Sequence, residues 1–195
     1  MKNLFVLFAS LLLLVLTTQC TQSAPDENAE AAAQPAVDTV KRGEYLVEIM
    51  GCHDCHSPKI MTAQGPALDP KLLLSGHPAN APLPAITDPN MVKPGQWVLF
   101  HPMNTAAVGP WGTSYSANLT PDVTGIGEWS FEQFKKARTE GKYKGMDNNR
   151  MLLPPMPWTN YRKIADEDIR AIFAYLKSLP AVSNQVPAPV PPASM

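Results

Sequence analysis

Residues 51–56 read Gly-Cys-His-Asp-Cys-His, and no other stretch constrains this chain as tightly. Two thiols three residues apart, followed at once by an imidazole, form the Cys-x-x-Cys-His pattern of covalent haem attachment. Cys52 and Cys55 can each add to one vinyl group of a single porphyrin, which places His56 under the iron as its proximal ligand. On this reading, the rest of the chain delivers the segment, wraps the haem or supplies a sixth ligand.

Composition agrees with a fold built around a bound group. Of 21 prolines, eleven lie between Pro58 and Pro121, so only a few good helices can form, joined by long ordered loops. A haem contributes apolar core that such a sequence need not provide. The formal net charge of −1 gives no sign of nucleic-acid binding. Three cysteines make no disulfide framework: two belong to the motif and the third, Cys20, follows an apolar run.

That run begins after Met1-Lys2 and extends from Leu4 to Leu16, too short for a comfortable transmembrane helix and suited to an export signal. Cys20 at its end resembles the lipidated cysteine of a bacterial lipoprotein. The match is imperfect, because Leu16 lies four residues before it and Gln19 directly precedes it. Ordinary cleavage and an uncleaved anchor are the alternatives. Residues 21–37 lack apolar periodicity and read as a flexible linker, spanning about 20–25 Å as a random coil.

Three helices are expected. The first runs from about Asp38, its N-cap, to Met50. Val40, Gly43, Val47 and Met50 share one face, which Leu46 and Ile49 widen. Gly43 costs about 1 kcal/mol there relative to alanine, which calls for a packing reason such as a second helix crossing closely. The next starts at Ser130, with Gln133 completing a capping box and Trp129 and Phe134 forming a hydrophobic staple, and Gly141 stops it. The last runs from about Asp166 to Leu179, burying Ile169, Ile172, Phe173, Leu176 and Leu179 before Pro180 ends it. Between these, Gln96–Phe100 and Val108–Leu119 have strand composition and leave room for a small β-hairpin. Residues 183–195 read as a Pro-rich, extended or disordered tail.

The order of parts resembles a bacterial class I-type cytochrome c over about residues 39–182. The helix, the Cys52-His53-Asp54-Cys55-His56 motif, a loop with Gly65-Pro66, a second helix, a methionine loop and a closing helix follow in turn. Most specific after the motif is Leu153-Pro154-Pro155-Met156-Pro157-Trp158, followed by Asp166-Glu167-Asp168-Ile169 and Ala174-Tyr175-Leu176. Asn118-Leu119-Thr120-Pro121-Asp122 and Thr124-Gly125-Ile126-Gly127 match dihaem cytochrome c-553-like relatives, yet this chain carries one haem motif only. The resemblance implies an all-α cytochrome c fold over 38–182, with three main helices around one covalent haem c and a long Pro-rich insertion over 57–116. It implies Met156 as the distal iron ligand, with Met151 and then Met146 as alternatives. It also implies the Pro66 carbonyl as acceptor for the second ring nitrogen of His56.

A His/Met pair fills both axial positions, favours Fe(II) and leaves the iron only electrons to exchange. The expected function is therefore electron transfer in the cell envelope, as a carrier or as the cytochrome subunit of a periplasmic redox enzyme. No catalytic constellation is expected; redox proteins, and a membrane reached through a lipid at Cys20, are the expected partners. Trp129, Arg150, Trp158 and Asn160 are candidate donors to the haem carboxylates. Three rivals stay open: an enzyme or gas sensor with a labile sixth ligand; a zinc site using Cys52, Cys55 and His56 with His77 or His101; and a thiol oxidoreductase using Cys52 and Cys55.

Overall fold

The computed structural model describes residues 35–192. The expected export signal over 1–20, Cys20 and nearly all of the linker lie outside the described residues. Within them, the chain forms helices α1 (Pro35–Ile49), α2 (Cys52–His56), α3 (Phe131–Thr139) and α4 (Asp166–Ser178). Five strands accompany these: β1 (Lys59–Thr62), β2 (Gly65–Leu68), β3 (Leu99–Phe100), β4 (Ala106–Gly109) and β5 (Gly112–Tyr115).

These strands correct the all-α expectation. β1 and β2 form one antiparallel hairpin, and β3, β4 and β5 form a three-stranded antiparallel sheet in sequence order. Prolines hid the first hairpin. Pro66 lies opposite Met61 in a sheet with only two strands, where its missing N–H need not serve a second neighbour. The second sheet lies where strand composition left room for a hairpin, and its β4–β5 pair turns at Pro110-Trp111 inside Val108–Leu119.

The core gathers around the crossing of α1 and α4, with Leu74 and Ile126 added from loops. Leu46, Val47, Cys52, Leu74, Ile126, Phe134, Ile169, Ala171, Ile172 and Leu176 form one buried cluster. α1 begins three residues earlier than expected, so Asp38 lies in its first turn instead of capping it, and Ile49 is 59% exposed. Gly43 has the packing reason that its position demanded. A Cβ there would fall 2.0 Å from the Ala171 carbonyl oxygen and 2.7 Å from Tyr175 Cβ, so the backbone of α1 rests directly on α4. Beside this crossing, Arg42 makes a two-pronged bond to Asp168, at 2.9 and 3.3 Å.

α3 starts as its sequence requires. Gln133 N–H donates to Ser130 Oγ at 3.2 Å and Ser130 N–H to Gln133 Oε1 at 2.9 Å, the reciprocal bonds of a capping box. Phe134 is buried and Trp129 packs against the same cluster. Lys135 pairs with Asp166 at 2.7 Å, joining α3 to the first turn of α4. The C-terminal segment departs from a disordered tail. Thr113 and Val190 exchange backbone bonds of 2.8 and 3.0 Å, and Asn184 bonds to the 75–79 segment, so residues 182–190 form a strap along the domain.

Candidate haem-binding site

Cys52, Cys55 and His56 lie on α2, a single short helix that leaves α1 at a left-handed Gly51. One helical turn brings the two sulfurs and the imidazole to one neighbourhood, as attachment to a single porphyrin requires. Surrounding loops fix this helix. Lys59 Nζ donates to the carbonyls of Ser57, at 3.0 Å, and Asp54, capping the C-terminal end where a cation is favoured. Asn104 Nδ2 donates to Asp54 O at 3.2 Å and reaches Cys55 Sγ at 3.5 Å. His53 is turned to Ser57 Oγ, 2.8 Å away, in keeping with a spacer between the cysteines.

The acceptor for His56 is Ala117, not Pro66: Nδ1 lies 2.8 Å from the Ala117 carbonyl oxygen, while Pro66 is occupied in the β1–β2 hairpin. A carbonyl can only accept, so Nδ1 carries the proton. Burial pushes the imidazole pKa down to about 4, against the upward pull of the Ala117 bond, and the nearby Arg138 charge lowers it further. The ring is therefore neutral near pH 7 with its lone pair on Nε2, the form that binds a metal.

Both thiols are pushed upward, mainly by burial. A thiol oxidoreductase needs a depressed thiol pKa, so these surroundings oppose that rival. The zinc reading fares no better. His77 is completely buried, with Nδ1 2.8 Å from Thr105 Oγ1 and Nε2 without a hydrogen-bond partner, and His101 Nδ1 accepts from Met103 N–H at 3.2 Å. Among the described residues, no group of three or more His, Cys, Asp or Glu side chains is placed to hold a metal ion.

Arg138 is the site residue that the sequence concealed. It sits near the end of α3, where a cation suits the helix dipole, and that role masked it. Its side chain is only 7% exposed, its guanidinium stacks on Tyr161 at 4.2 Å, and its charge acts on both Cys52 and His56. Nη2 is buried with no hydrogen-bond partner. A buried guanidinium lacking an anion is costly, so a haem, which carries carboxylates, fits the chemistry of this site. The four donors proposed from sequence have other contacts: Trp129 packs on the core, Arg150 stacks on Tyr143, Trp158 lies under Arg162, and Asn160 is exposed.

The three methionines differ in setting. Met146 and Met151 are 51% and 40% exposed, and Met151 is bridged through its backbone to Lys142. Met156 is half-buried in a loop tied at several points. Leu152 N–H donates to Gly141 O at 2.6 Å, Ser114 Oγ to Pro154 O at 2.6 Å, and Trp158 N–H to Met156 O at 2.9 Å.

Known proteins carry the same parts. The chain is 34% identical over 167 residues to the gluconate 2-dehydrogenase cytochrome c subunit of Pantoea cypripedii, covering 85% of this chain and 27% of that protein. It is 26% identical over 183 residues to the fructose dehydrogenase cytochrome subunit of Gluconobacter japonicus, covering 90% of this chain and 29% of that one. Over 147 residues it is 30% identical to the cytochrome c subunit of the quinone alcohol dehydrogenase of Gluconobacter oxydans, covering 74% of this chain and 22% of that protein. The chain thus spans less than a third of the length of each. The family model for cytochrome c matches residues 40–180, a span running from α1 through the Cys52–His56 helix to the end of α4. With the Cys-x-x-Cys-His triplet on one helix and a neutral, oriented imidazole within it, the chain belongs to the cytochrome c family.

Proposed function

We propose that the protein passes single electrons through one haem c, bound covalently by Cys52 and Cys55 and ligated by His56 and Met156. The observation that carries this reading is the His56 imidazole held by its Nδ1 proton on Ala117, on the same short helix as both cysteines. The bound haem supplies a one-electron iron couple. The residues around it orient and insulate. Ala117 fixes the plane and tautomer of His56, Asn104 and Lys59 hold the helix, and Arg138 offers a buried cation to an anionic edge. The tied loop presents Met156, and Pro155 and Pro157 stiffen its backbone by fixing their own φ angles. With haem bound, a soft thioether from Met156 together with the His56 imidazole would favour the reduced state and leave no position for small ligands.

Changing Met156 to alanine tests this assignment. The ferric protein should lose the weak sulfur-to-iron charge-transfer band at the red end of its spectrum. A band that persists in Met156→Ala, and vanishes in Met151→Ala, would hand the role to Met151.

The same reading assigns the surroundings. Residues 1–20 act as an export signal, Cys20 is the lipidated residue, and the linker before α1 tethers the domain at the periplasmic face of a membrane. Among the described residues, no helix is long and apolar enough to cross a membrane. Relatives named as cytochrome subunits of dehydrogenases support a redox enzyme as the electron donor. Labelled fatty acid should be incorporated by the wild type and not by Cys20→Ser. Affinity capture from native membranes should recover a dehydrogenase whose addition with substrate reduces the haem.

A further inference from the structure

The segment that carries the Ala117 acceptor is held from two sides by parts of the chain far from the haem motif. Gly76 forms the first. Its N–H donates to the His56 carbonyl at 2.8 Å, so it touches the ligand's own backbone. Its Cα faces the acceptor peptide: a Cβ there would fall 2.6 Å from Ala117 C and 2.7 Å from Asn118 N. With φ at +80°, this position suits glycine on conformational grounds as well. The next residue continues the link, since His77 N–H donates to Ser116 O at 2.9 Å.

The C-terminal strap forms the second side. Asn184 Nδ2 donates to the carbonyls of Ser75 and His77, at 2.8 and 2.9 Å, and its Oδ1 accepts from Ala79 N–H at 2.9 Å. These bonds clasp the segment containing Gly76 from both ends. The strap also holds Asn118, whose Nδ2 donates to Val182 O at 2.8 Å and to Thr124 Oγ1 at 3.1 Å. Thr124 Oγ1 accepts in turn from Asn184 N–H at 3.0 Å. The peptide carrying the acceptor therefore lies between a glycine that Asn184 clasps and an asparagine that the strap restrains.

We propose that Gly76 and Asn184 are positioning residues for the iron ligand, setting the length of the His56 Nδ1–Ala117 hydrogen bond and through it the reduction potential. This deepens the proposed function and rests on His56 being the proximal ligand. A strong bond from Nδ1 makes the imidazole a better donor, which favours Fe(III). Loosening the clasp lengthens that bond, weakens the donor and raises the potential.

The test uses full-length holoprotein carrying Asn184→Ala, with Thr124→Val as a milder variant should the first fail to fold. Ser130→Ala is the control, because it removes the α3 cap and costs stability without touching the clasp. Wild type must first show the His/Met spectrum, so failure of the parent reading is seen separately. Groups around a ligand's hydrogen-bond partner tune the metal's redox potential. Asn184→Ala should shift the ferrous-to-ferric ratio about tenfold toward ferrous, which is about 59 mV for one electron. The His56 Nδ1 proton should also exchange faster by NMR in the reduced state. Thr124→Val should move both readouts the same way by less, and Ser130→Ala should move neither. An unchanged or lowered potential in the clasp variants, or a shift equally large in Ser130→Ala, overturns the proposal.

Discussion

Changing Gly43 to alanine sets two known effects against each other, and the structure decides the sign. In an exposed helix interior this change stabilises by about 1 kcal/mol, because alanine is the better helix former. Here the added methyl would lie 2.0 Å from the Ala171 carbonyl oxygen and 2.5 Å from its carbon. Ordinary contact lies near 3.5 Å, so α1 must retreat from α4 by about 1.5 Å. The obstructing atoms are backbone, which no rotamer change can move. Overpacking of this kind costs about 1–3 kcal/mol, and a rigid backbone neighbour puts this case at the upper end or beyond. The net expectation is a loss of about 2 kcal/mol, or about 4–8 °C in Tm at this chain length. Guanidinium unfolding of the ferric holoprotein, followed by far-ultraviolet circular dichroism, reads it directly. A Gly43→Ala protein as stable as wild type, or more so, refutes the close crossing of α1 on α4.

Two further outcomes follow from charges. Replacing Arg138 by methionine removes a buried cation that acts on Cys52 and His56, so the ferric state should be favoured and the potential should fall, on the order of 59 mV; spectroelectrochemical titration checks this, and a rise contradicts it. Asp122 accepts from Thr124 N–H at 2.8 Å and Thr124 Oγ1 at 2.6 Å, and these bonds hold its carboxyl below the usual range. A depressed folded pKa means that its stabilisation is full above the unfolded value near 3.9 and is lost as pH falls through the lower folded value. Urea midpoints measured down through that window should therefore fall less steeply in Asp122→Asn than in wild type, and identical slopes would remove Asp122 from the acid response.

What could be read from the sequence was local. The Cys52-x-x-Cys55-His56 spacing, the box from Ser130 to Gln133 and the apolar face of α4 each depend on neighbours within a turn or two: the first falls on one short helix, the second forms both its bonds, and the third buries Ile169, Ile172 and Leu176 with Phe173 and Leu179 partly covered. Gly43 went further, since its cost in a helix implied a crossing whose partner only the fold identifies. Contacts between distant residues were hidden. The acceptor for His56 lies 61 positions away and is a backbone carbonyl, a group that leaves no mark on residue identity. Strands of two to four residues, one containing Pro66, carry too little periodicity to override a proline-rich composition. Arg138 had an adequate explanation as a helix-end cation, and Asn184 sat in a segment whose composition pointed to disorder, so their burial and bonding emerged only in three dimensions.

If His56 and Met156 both hold the iron as proposed, it can exchange electrons and nothing else. Adding carbon monoxide to the reduced wild-type protein tests it most directly, because the gas binds only an open or labile sixth position. The Soret band of the wild type should stay unchanged at neutral pH. A prompt shift of that band on mixing would contradict it and place the protein among haem enzymes or gas sensors.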